Sequence, residues 1–594
     1  MIRSIVRPWR LLIVLIAGCF LVAQSLDVVP PLIVKRVVDE HLTTGVPEGL
    51  LLLGFFYFGA IVAARSVNAL AIYLTSVVAQ GSLHELRVRL FAHLQRLPMS
   101  YYDQTPLGDI ISRGTADIET VDTLFSSGVA VLVSSLVSLL TIAVAMAVLS
   151  VPLSLATAVL VPPLVAITQY FRVRVRAAER ANRVATGLMN THLQETLSGV
   201  EVIRAFRREG VFVARFREAL SQVVATYNRS TVYNSFYPPL MAILSSVIVA
   251  ALLWLGASGI GEQWGITLGT LTAFVLLFRR FFTVVIDLGD EWQTVQSALS
   301  GLERIGQVLA LPVEEGPADA TKSAPHLSDD VAIRLADVTF GYRHDEPVLR
   351  HVSLEVHAGE HVALVGRTGA GKTSTLHLLA GLYAPWSGRV QVMGCDPRAL
   401  SADERRQVVS AVPQAVHLFT GTVYENLTLG DDSVSRQDVE RAAQIAGADE
   451  FIRSLPLGYE TPLTGAGRGA GTQLSAGQRQ LLALARALVW NPQVLLLDEA
   501  TAAIDNASDA AFRAALRTEL SSHRRAVLTV AHRLSTAREA DRVLVMEAGC
   551  IVEQGKPENL IARGGRFAAL VELEAAGWDW RATYEAQGTP VDAT

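Results

Sequence analysis

The sequence predicts a chain of two unlike parts: an α-helical membrane bundle of six spans with long helical extensions, followed by an α/β domain with a largely parallel sheet. Three observations predict it. The 594 residues are 51% hydrophobic and only 18% charged, with a mean hydropathy of +0.35, too apolar for a soluble multidomain protein. Apolar runs of roughly 20 residues, the length a hydrocarbon core about 30 Å thick demands, are confined to the first half. The second half alternates short β-like and helical runs and places a glycine-rich loop between a strand and a helix.

The six runs are approximately Leu11 to Val34, Leu50 to Val78, Gly128 to Leu149, Pro152 to Phe171, Phe236 to Ser258 and Leu268 to Leu288. Only SVPLS separates the third from the fourth, which predicts a tight hairpin. The N-terminal MIRSIVRPWRLL runs into the first span with no small-residue cleavage site, so a retained span is expected rather than a removed signal peptide. Arginines cluster before span one (Arg3, Arg7, Arg10), between spans two and three (Arg87, Arg89, Arg96, Arg113) and between four and five (Arg172 to Arg208). The alternate loops, TTGVPEG (43–49) and GIGEQWG (259–265), carry no Lys or Arg. Cytoplasmic loops carry the Lys/Arg excess, so both termini are expected in the cytoplasm and the protein in the cytoplasmic (inner) membrane. Lys35 and Arg36, at the other end of span one, oppose the pattern weakly and must snorkel or face protein.

The two long connections on the arginine-rich side are not simple loops. Leu83, Leu86, Leu90, Leu94 and Leu97 recur at three- and four-residue intervals, predicting an amphipathic helix that continues span two. Within the spans, Arg65, Asn68, Arg279 and Arg280 interrupt apolar runs. A charge at the bilayer centre costs about 3 kcal/mol on insertion scales, so these residues are expected to face a protein interior or an aqueous cavity. Cys19, Cys395 and Cys550 are far apart and in no metal-ligand spacing, and are read as free thiols.

These features divide the chain into a membrane domain at 1–310, a linker at 311–330 (rich in Pro, Ala and acids), an α/β domain at 331–575 and a tail at 576–594. The net charge of -5 and a pI near 6.3 give no polybasic signature, so no nucleic-acid partner is expected.

The chemistry concentrates in the α/β domain. GRTGAGKT, Gly366 to Thr373, fits G-x-x-x-x-G-K-[ST] between the strand-like HVALV and the helix-like STLHLLAGL. In such a loop the backbone amides of Gly366, Arg367, Thr368, Gly369, Ala370 and Gly371 surround phosphate oxygens. The helix N-terminus at Ser374 adds its dipole, Lys372 reaches the β- and γ-phosphates, and the Thr373 hydroxyl ligates magnesium. Downstream, VLLLDE (494–499) ends an apolar strand in two acids. Asp498 is placed to hold magnesium and Glu499 to deprotonate the attacking water.

Between these motifs lies LSAGQRQLLALARAL, Leu474 to Leu488, and with it the chain resembles the ATP-binding cassette (ABC) family, whose signature is LSGGQ. The serine and glycine of such a signature open a helix toward a phosphate. The resemblance implies that Ser475, Gly477 and Gln478 contact an ATP held by an opposite cassette. It further implies that Tyr342 stacks on adenine, Gln414 is the lid glutamine near magnesium, Asp505 is the inter-subunit loop aspartate, and His532 contacts the γ-phosphate. Alone, a tyrosine after a strand or a single histidine is ordinarily structural; their joint order and spacing carry the assignment.

The membrane half is similar to six-helix exporters over residues 91–129, 190–210 and 273–305. The resemblance implies ATP-hydrolysis-driven export of a drug, lipid, peptide or siderophore by alternating access, with ATP and Mg2+ as cofactors. It implies a second ABC half-transporter as partner; LFSSGV and TGAGKT favour a heterodimer. The alternative is an ATP-gated regulator or channel, against which Glu499, His532 and the intact phosphate loop weigh. Two departures stand out. Ala476 replaces a signature glycine, and TPLTGAGRGAGTQ (461–473) contains no acid where exporters usually carry a glutamate.

Overall fold

The computed structural model describes residues 7–45, 47–257, 263–314, 330–464, 471–498, 525–531 and 533–576. They form two compact units, Met1–Gln95 with Gly108–Leu311, and Arg96–Leu107 with Pro312–Thr594. The segment Arg96–Leu107, which the sequence reading left inside the domain 1–310, groups with the second unit. Most of the expected linker (315–329) and the tail from 577 lie outside the described residues.

The first unit is helical throughout its described residues, as backbone in hydrocarbon must be when water cannot satisfy its polar groups. Span one consists of α1 (Arg10–Leu26) and α2 (Val29–Val37), followed by one π turn, Val38–Leu42. The break at Asp27 follows from Pro30 and Pro31, which have no N–H to return to the preceding turn. Helix α3 (Leu50–Leu94) carries span two and continues for 45 residues in all, with Leu83, Leu86, Leu90 and Leu94 buried along one stripe as expected. Helix α4 (Val129–Leu149) gives way to α5 (Val151–Ser198) at Ser150, which is extended and accepts a hydrogen bond from the Leu153 amide. Helices α6 (Glu209–Ala257) and α7 (Leu268–Leu309) complete the unit.

Among the described residues, five helical stretches are long and apolar enough to cross a membrane: Arg7–Leu42, Leu50–Leu94, Leu107–Leu149, Pro239–Gly256 and Leu268–Val285. The remaining expected span, Pro152 to Phe171, forms the start of α5; its side chains at 160, 161, 163–165 and 168 lie outside the described residues.

Helix α5 packs along α6, and α7 packs on α4 and α2. Phe274, Leu277, Phe278 and Phe282 of α7 meet Ile142, Met146, Leu153 and Met241 in one apolar cluster. Two carboxylates fasten the ends of α7. Near its start, Asp39 accepts from the Thr267 hydroxyl at 2.7 Å and from the Gly269 amide at 2.8 Å, a charge placed at a helix N-terminus where the dipole favours it. Near its end, Arg304 Nε donates to both oxygens of the buried Asp117, at 3.1 and 3.0 Å.

The second unit holds a six-stranded sheet in the order β11-β10-β3-β9-β8-β5. Its strands are β3 (His361–Gly366), β5 (Val409–Val412), β8 (Val494–Asp498), β9 (Ala526–Val530), β10 (Arg542–Glu547) and β11 (Cys550–Gly555), and only β11 is antiparallel to its neighbour. β3, β8 and β9 are buried at every position, which explains their unbroken apolar runs. An antiparallel sheet of β1 (Val331–Phe340), β2 (Leu349–His357) and β4 (Ser387–Val392) joins it through a shared core, and the short strands β6 (Gly421–Thr422) and β7 (Pro462–Leu463) pair with one another. The three cysteines are free thiols.

Gly269 permits the closest approach in the first unit, since a Cβ there would lie 2.3 Å from the Lys35 carbonyl oxygen and 2.6 Å from the Asp39 carboxyl carbon. Gly269→Ala is expected to push α7 from span one and cost about 1–3 kcal/mol, as overpacking does elsewhere. A melting temperature of the detergent-purified variant equal to that of the parent would refute this.

Candidate functional site

The phosphate loop leaves the C-terminal end of β3, between β10 and β9. Gly366 lies so close to β10 that a Cβ would fall 2.2 Å from the Met546 carbonyl oxygen. Gly371 has φ +98, and a Cβ there would meet Leu349 at 2.5 Å. Both positions exclude other residues, so the glycines hold the loop tight against the sheet. Helix α8 (Lys372–Leu379) starts at once. Lys372 is buried, and its ammonium donates to the carbonyls of Gly366 at 2.8 Å and Arg367 at 3.0 Å. The cation is thereby folded back over the loop that its charge serves.

β9 lies between β3 and β8, so the loop and Asp498, at the end of β8, share one sheet edge. The Thr373 hydroxyl donates to Asp498 Oδ1 at 3.3 Å. Burial pushes the Asp498 carboxyl up, opposed by that bond and by the neighbouring His377 and Lys372. A buried carboxylate and a hydroxyl are hard oxygen donors, the kind Mg2+ takes alongside phosphate oxygens and water. Asp498 pairs in register with Val530, two residues before His532 in the chain. Glu499, Asp505 and His532 lie outside the described residues.

The side on which Tyr342 is expected to meet adenine is aromatic. The Tyr342 ring packs edge-on against Phe340 at 5.1 Å and Tyr383 at 5.3 Å between centroids. Its hydroxyl reaches Ser374 Oγ at 3.0 Å and His377 Nδ1 at 3.2 Å. His377 stacks on Tyr383, with centroids 5.7 Å apart. The Tyr383 hydroxyl donates to Asp103 at 2.5 Å, and burial followed by this carboxylate pushes the phenol well above its ordinary range. Asp103 lies on the short helix Met99–Gln104, within the segment that groups with this unit. Sequence reasoning missed His377, Tyr383 and Asp103. None belongs to a phosphate-binding pattern, and Asp103 is 280 residues from Tyr383.

Ser475 is the N-cap of α9 (Ala476–Leu488) in a reciprocal box: its hydroxyl accepts from the Gln478 amide at 3.1 Å, and Gln478 Oε1 accepts from the Ser475 amide at 2.9 Å. Gln478, expected to contact ATP, therefore has a structural task at the helix start. Ser475 is exposed, Gly477 is buried and Ala476 is half-buried. Gln414 is exposed. Of the acid-free stretch 461–473, residues 465–470 lie outside the described residues.

A phosphate loop on a parallel sheet, an acid one strand beyond the next, and an amphipathic helix opened by serine define an ATP-binding cassette, here in a chain with membrane-length helices. Residues 13–285 match the ABC transporter transmembrane region and residues 349–502 the ABC transporter domain. The chain is 33% identical over 549 residues to the ABC transporter ATP-binding protein YknV of Bacillus subtilis, covering 92% of this chain and 89% of that protein. It is 33% identical over 494 residues to a fatty acid ABC transporter ATP-binding/permease protein of Mycobacterium bovis, covering 83% and 76%. It is 30% identical over 568 residues to an ATP-dependent lipid A-core flippase of Syntrophus aciditrophicus, covering 94% and 91%. A solved bacterial Atm1-family ABC exporter with ATP bound superposes with a TM-score of 0.77 at 26% identity, over 98% of this chain and 99% of that one. The chain belongs to the ABC transporter family. It is a multi-pass membrane protein that couples ATP hydrolysis to export, not an ATP-gated regulator or channel.

The aromatic site makes a specific prediction. Stacking on a base contributes about 1–3 kcal/mol, so Tyr342→Ala should raise the KM for ATP roughly 5- to 100-fold and lower kcat less. Tyr342→Phe, which keeps the ring and loses only the bonds to Ser374 and His377, should stay within about threefold of the parent. Equal effects of both substitutions in steady-state ATPase assays would assign the role to the hydroxyl instead.

Proposed function

We propose that this chain is one half of a dimeric exporter in the cytoplasmic membrane, with both termini on the cytoplasmic side, that moves an amphipathic, lipid-type molecule outward by alternating access. The observation that carries the reading is the incomplete nucleotide site. Lys372, Thr373 and Asp498 gather at one sheet edge, while the serine-capped helix start at Ser475 is exposed and free to meet a nucleotide on another cassette. Two cassettes then enclose two ATPs, and half-transporters of this kind dimerise. Relatives that bear the names of a fatty acid transporter and of lipid A-core flippases support a lipid-type substrate.

In this reading the amides of Gly366 to Gly371 and the start of α8 bind the phosphates, and Lys372 neutralises the β- and γ-oxygens. Thr373, Asp498 and Gln414 would hold Mg2+, which supplies charge neutralisation at the phosphates when bound. Glu499 takes the proton of the attacking water, His532 contacts the γ-phosphate, and Asp505 lies toward the partner cassette. Tyr342 carries the adenine. Ser475 and Gly477 face the partner's nucleotide, with Gln478 holding their helix start. The LFSSGV segment and the TGAGKT loop favour a heterodimer; a transport-active homodimer of the chain expressed alone, weighed by native mass spectrometry, would exclude that.

The mechanism is tested by separating ATP binding from hydrolysis. Glu499→Gln removes the base and should lower turnover about a hundred- to ten-thousandfold while ATP stays bound. The cassettes then remain closed and the membrane half faces outward. Lys372→Ala weakens binding itself and leaves the cassettes apart. Spin-label distances between cassettes and between the ends of spans one and six near Leu42 and Leu268, with ATP and magnesium, should differ between the two variants. The same resting conformation in both would sink the mechanism.

A further inference from the structure

The nucleotide site leaves the charges inside the spans unexplained. Asp27 sits at the break between α1 and α2, with its side chain 9% exposed. Pro31 has no N–H to donate to the Asp27 carbonyl four residues back. Arg280 of α7 fills that gap, since its Nη1 donates to the Asp27 carbonyl oxygen at 3.0 Å and its Nη2 is bonded to Asp27 Oδ2. One arginine thus satisfies both the carbonyl and one carboxylate oxygen of the broken helix, and its role is structural.

A second arginine faces the same carboxylate. Arg65 of α3 places Nη2 3.9 Å from Asp27 Oδ1, too far for a hydrogen bond, and its side chain is 66% exposed. Arg279, next to Arg280, is also exposed and has no ion-pair partner among the described residues. The cluster of Asp27, Arg65 and Arg280 therefore carries one positive charge in excess, and Arg279 adds another. Its depth follows from the helices. Asp27, Arg65 and Arg280 stand fifteen, fifteen and twelve residues from Leu42, Leu50 and Leu268, about 22, 22 and 18 Å along their helices. That is inside a hydrocarbon layer about 30 Å thick, past its midplane. Charges at that depth are found where they meet water, a counter-charge or a ligand. The Arg65 guanidinium offers a planar fork of donors that fits a carboxylate or phosphate in two-point contact. Asn68, half-buried one turn further along α3, adds an amide.

We propose that Arg65, held beside the Asp27–Arg280 clamp, binds the anionic headgroup of an amphiphilic substrate, a carboxylate or phosphate on an apolar chain. The clamp keeps Asp27 occupied by Arg280, which leaves Arg65 without a full counter-charge until the ligand supplies one. This assignment rests on the reading of the chain as an amphiphile exporter and names the substrate class.

The test uses the complete transporter in nanodiscs of neutral phosphatidylcholine and measures equilibrium binding of oleate, lysophosphatidate and oleyl alcohol. Oleate, lysophosphatidate or both should bind at least tenfold more tightly than the alcohol; which anion does so distinguishes a carboxylate from a phosphate ligand. Arg65→Gln should weaken anion binding on the order of ten- to a hundredfold, as loss of charged hydrogen bonds does, and leave the alcohol unchanged. Arg65→Lys, which keeps the charge but not the two-point fork, should recover only part of the loss. Equal binding of anions and alcohol by the parent protein overturns the proposal even if Arg65→Gln does not fold. So does unchanged anion binding in a folded Arg65→Gln variant, which would assign Arg65 to a counter-charge on the partner half. Either result leaves the export reading intact, because that reading is tested separately, by ATP hydrolysis dependent on Glu499 and by the spin-label distances in Glu499→Gln and Lys372→Ala.

Discussion

In hydrocarbon a backbone amide or carbonyl without a partner has no water to turn to, and the first unit is organised around that constraint. It explains why its described spans are helical, with three helices that run on for 45 to 49 residues. It also explains why the break in span one carries so much chemistry. Two prolines at the start of α2 remove the donors that would continue the helix, and an arginine from α7 takes their place at the Asp27 carbonyl. Bringing a cation there requires a carboxylate, and the second arginine beside that carboxylate leaves the local charge unbalanced. A backbone defect in one helix thus becomes a charged feature shared by three.

The cassette obeys a different constraint, the close packing of a backbone loop against its neighbours. Gly366 lies against the carbonyl of Met546 and Gly371 against Leu349, so the phosphate loop has no slack. A rigid loop presents its amides without first having to order them, which is how preorganised sites avoid an entropic cost on binding. The same edge gathers Thr373 and Asp498, and burial there raises the carboxyl above its ordinary range. Such a group gains most from a nearby cation.

Asp103 gives the nucleotide site a longer reach. Its helix lies in the chain between α3 and α4, yet it groups with the cassette and accepts from the Tyr383 hydroxyl. Tyr383 in turn touches both Tyr342 and His377. Side chains next to the expected adenine platform are therefore in direct contact with a segment whose flanking residues belong to the membrane unit. The contact joins one hydrogen bond to a carboxylate with a cluster of four rings, Phe340, Tyr342, His377 and Tyr383.

The sequence by itself determined the two-part architecture, the leucine stripe of α3, the turn at Ser150, the phosphate loop, and Asp498 at a strand end. Each is local: hydropathy over one span, a three- to four-residue period, a glycine spacing, or an apolar run that stops at an acid. It also marked Arg65, Arg279 and Arg280 as charges needing an explanation, without supplying their partners. Tertiary structure alone decided those matters that depend on residues distant in sequence. Arg280 finds Asp27 across 253 positions, and Tyr383 finds Asp103 across 280. The cap that Gln478 makes on its own helix is different, since it is local and its S-x-x-Q spacing, Ser475 to Gln478, is legible in the sequence. Local patterns specify which element forms, because propensity and hydrophobic period act within a few turns. Which side chains meet depends on how those elements pack, and no local pattern carries that information.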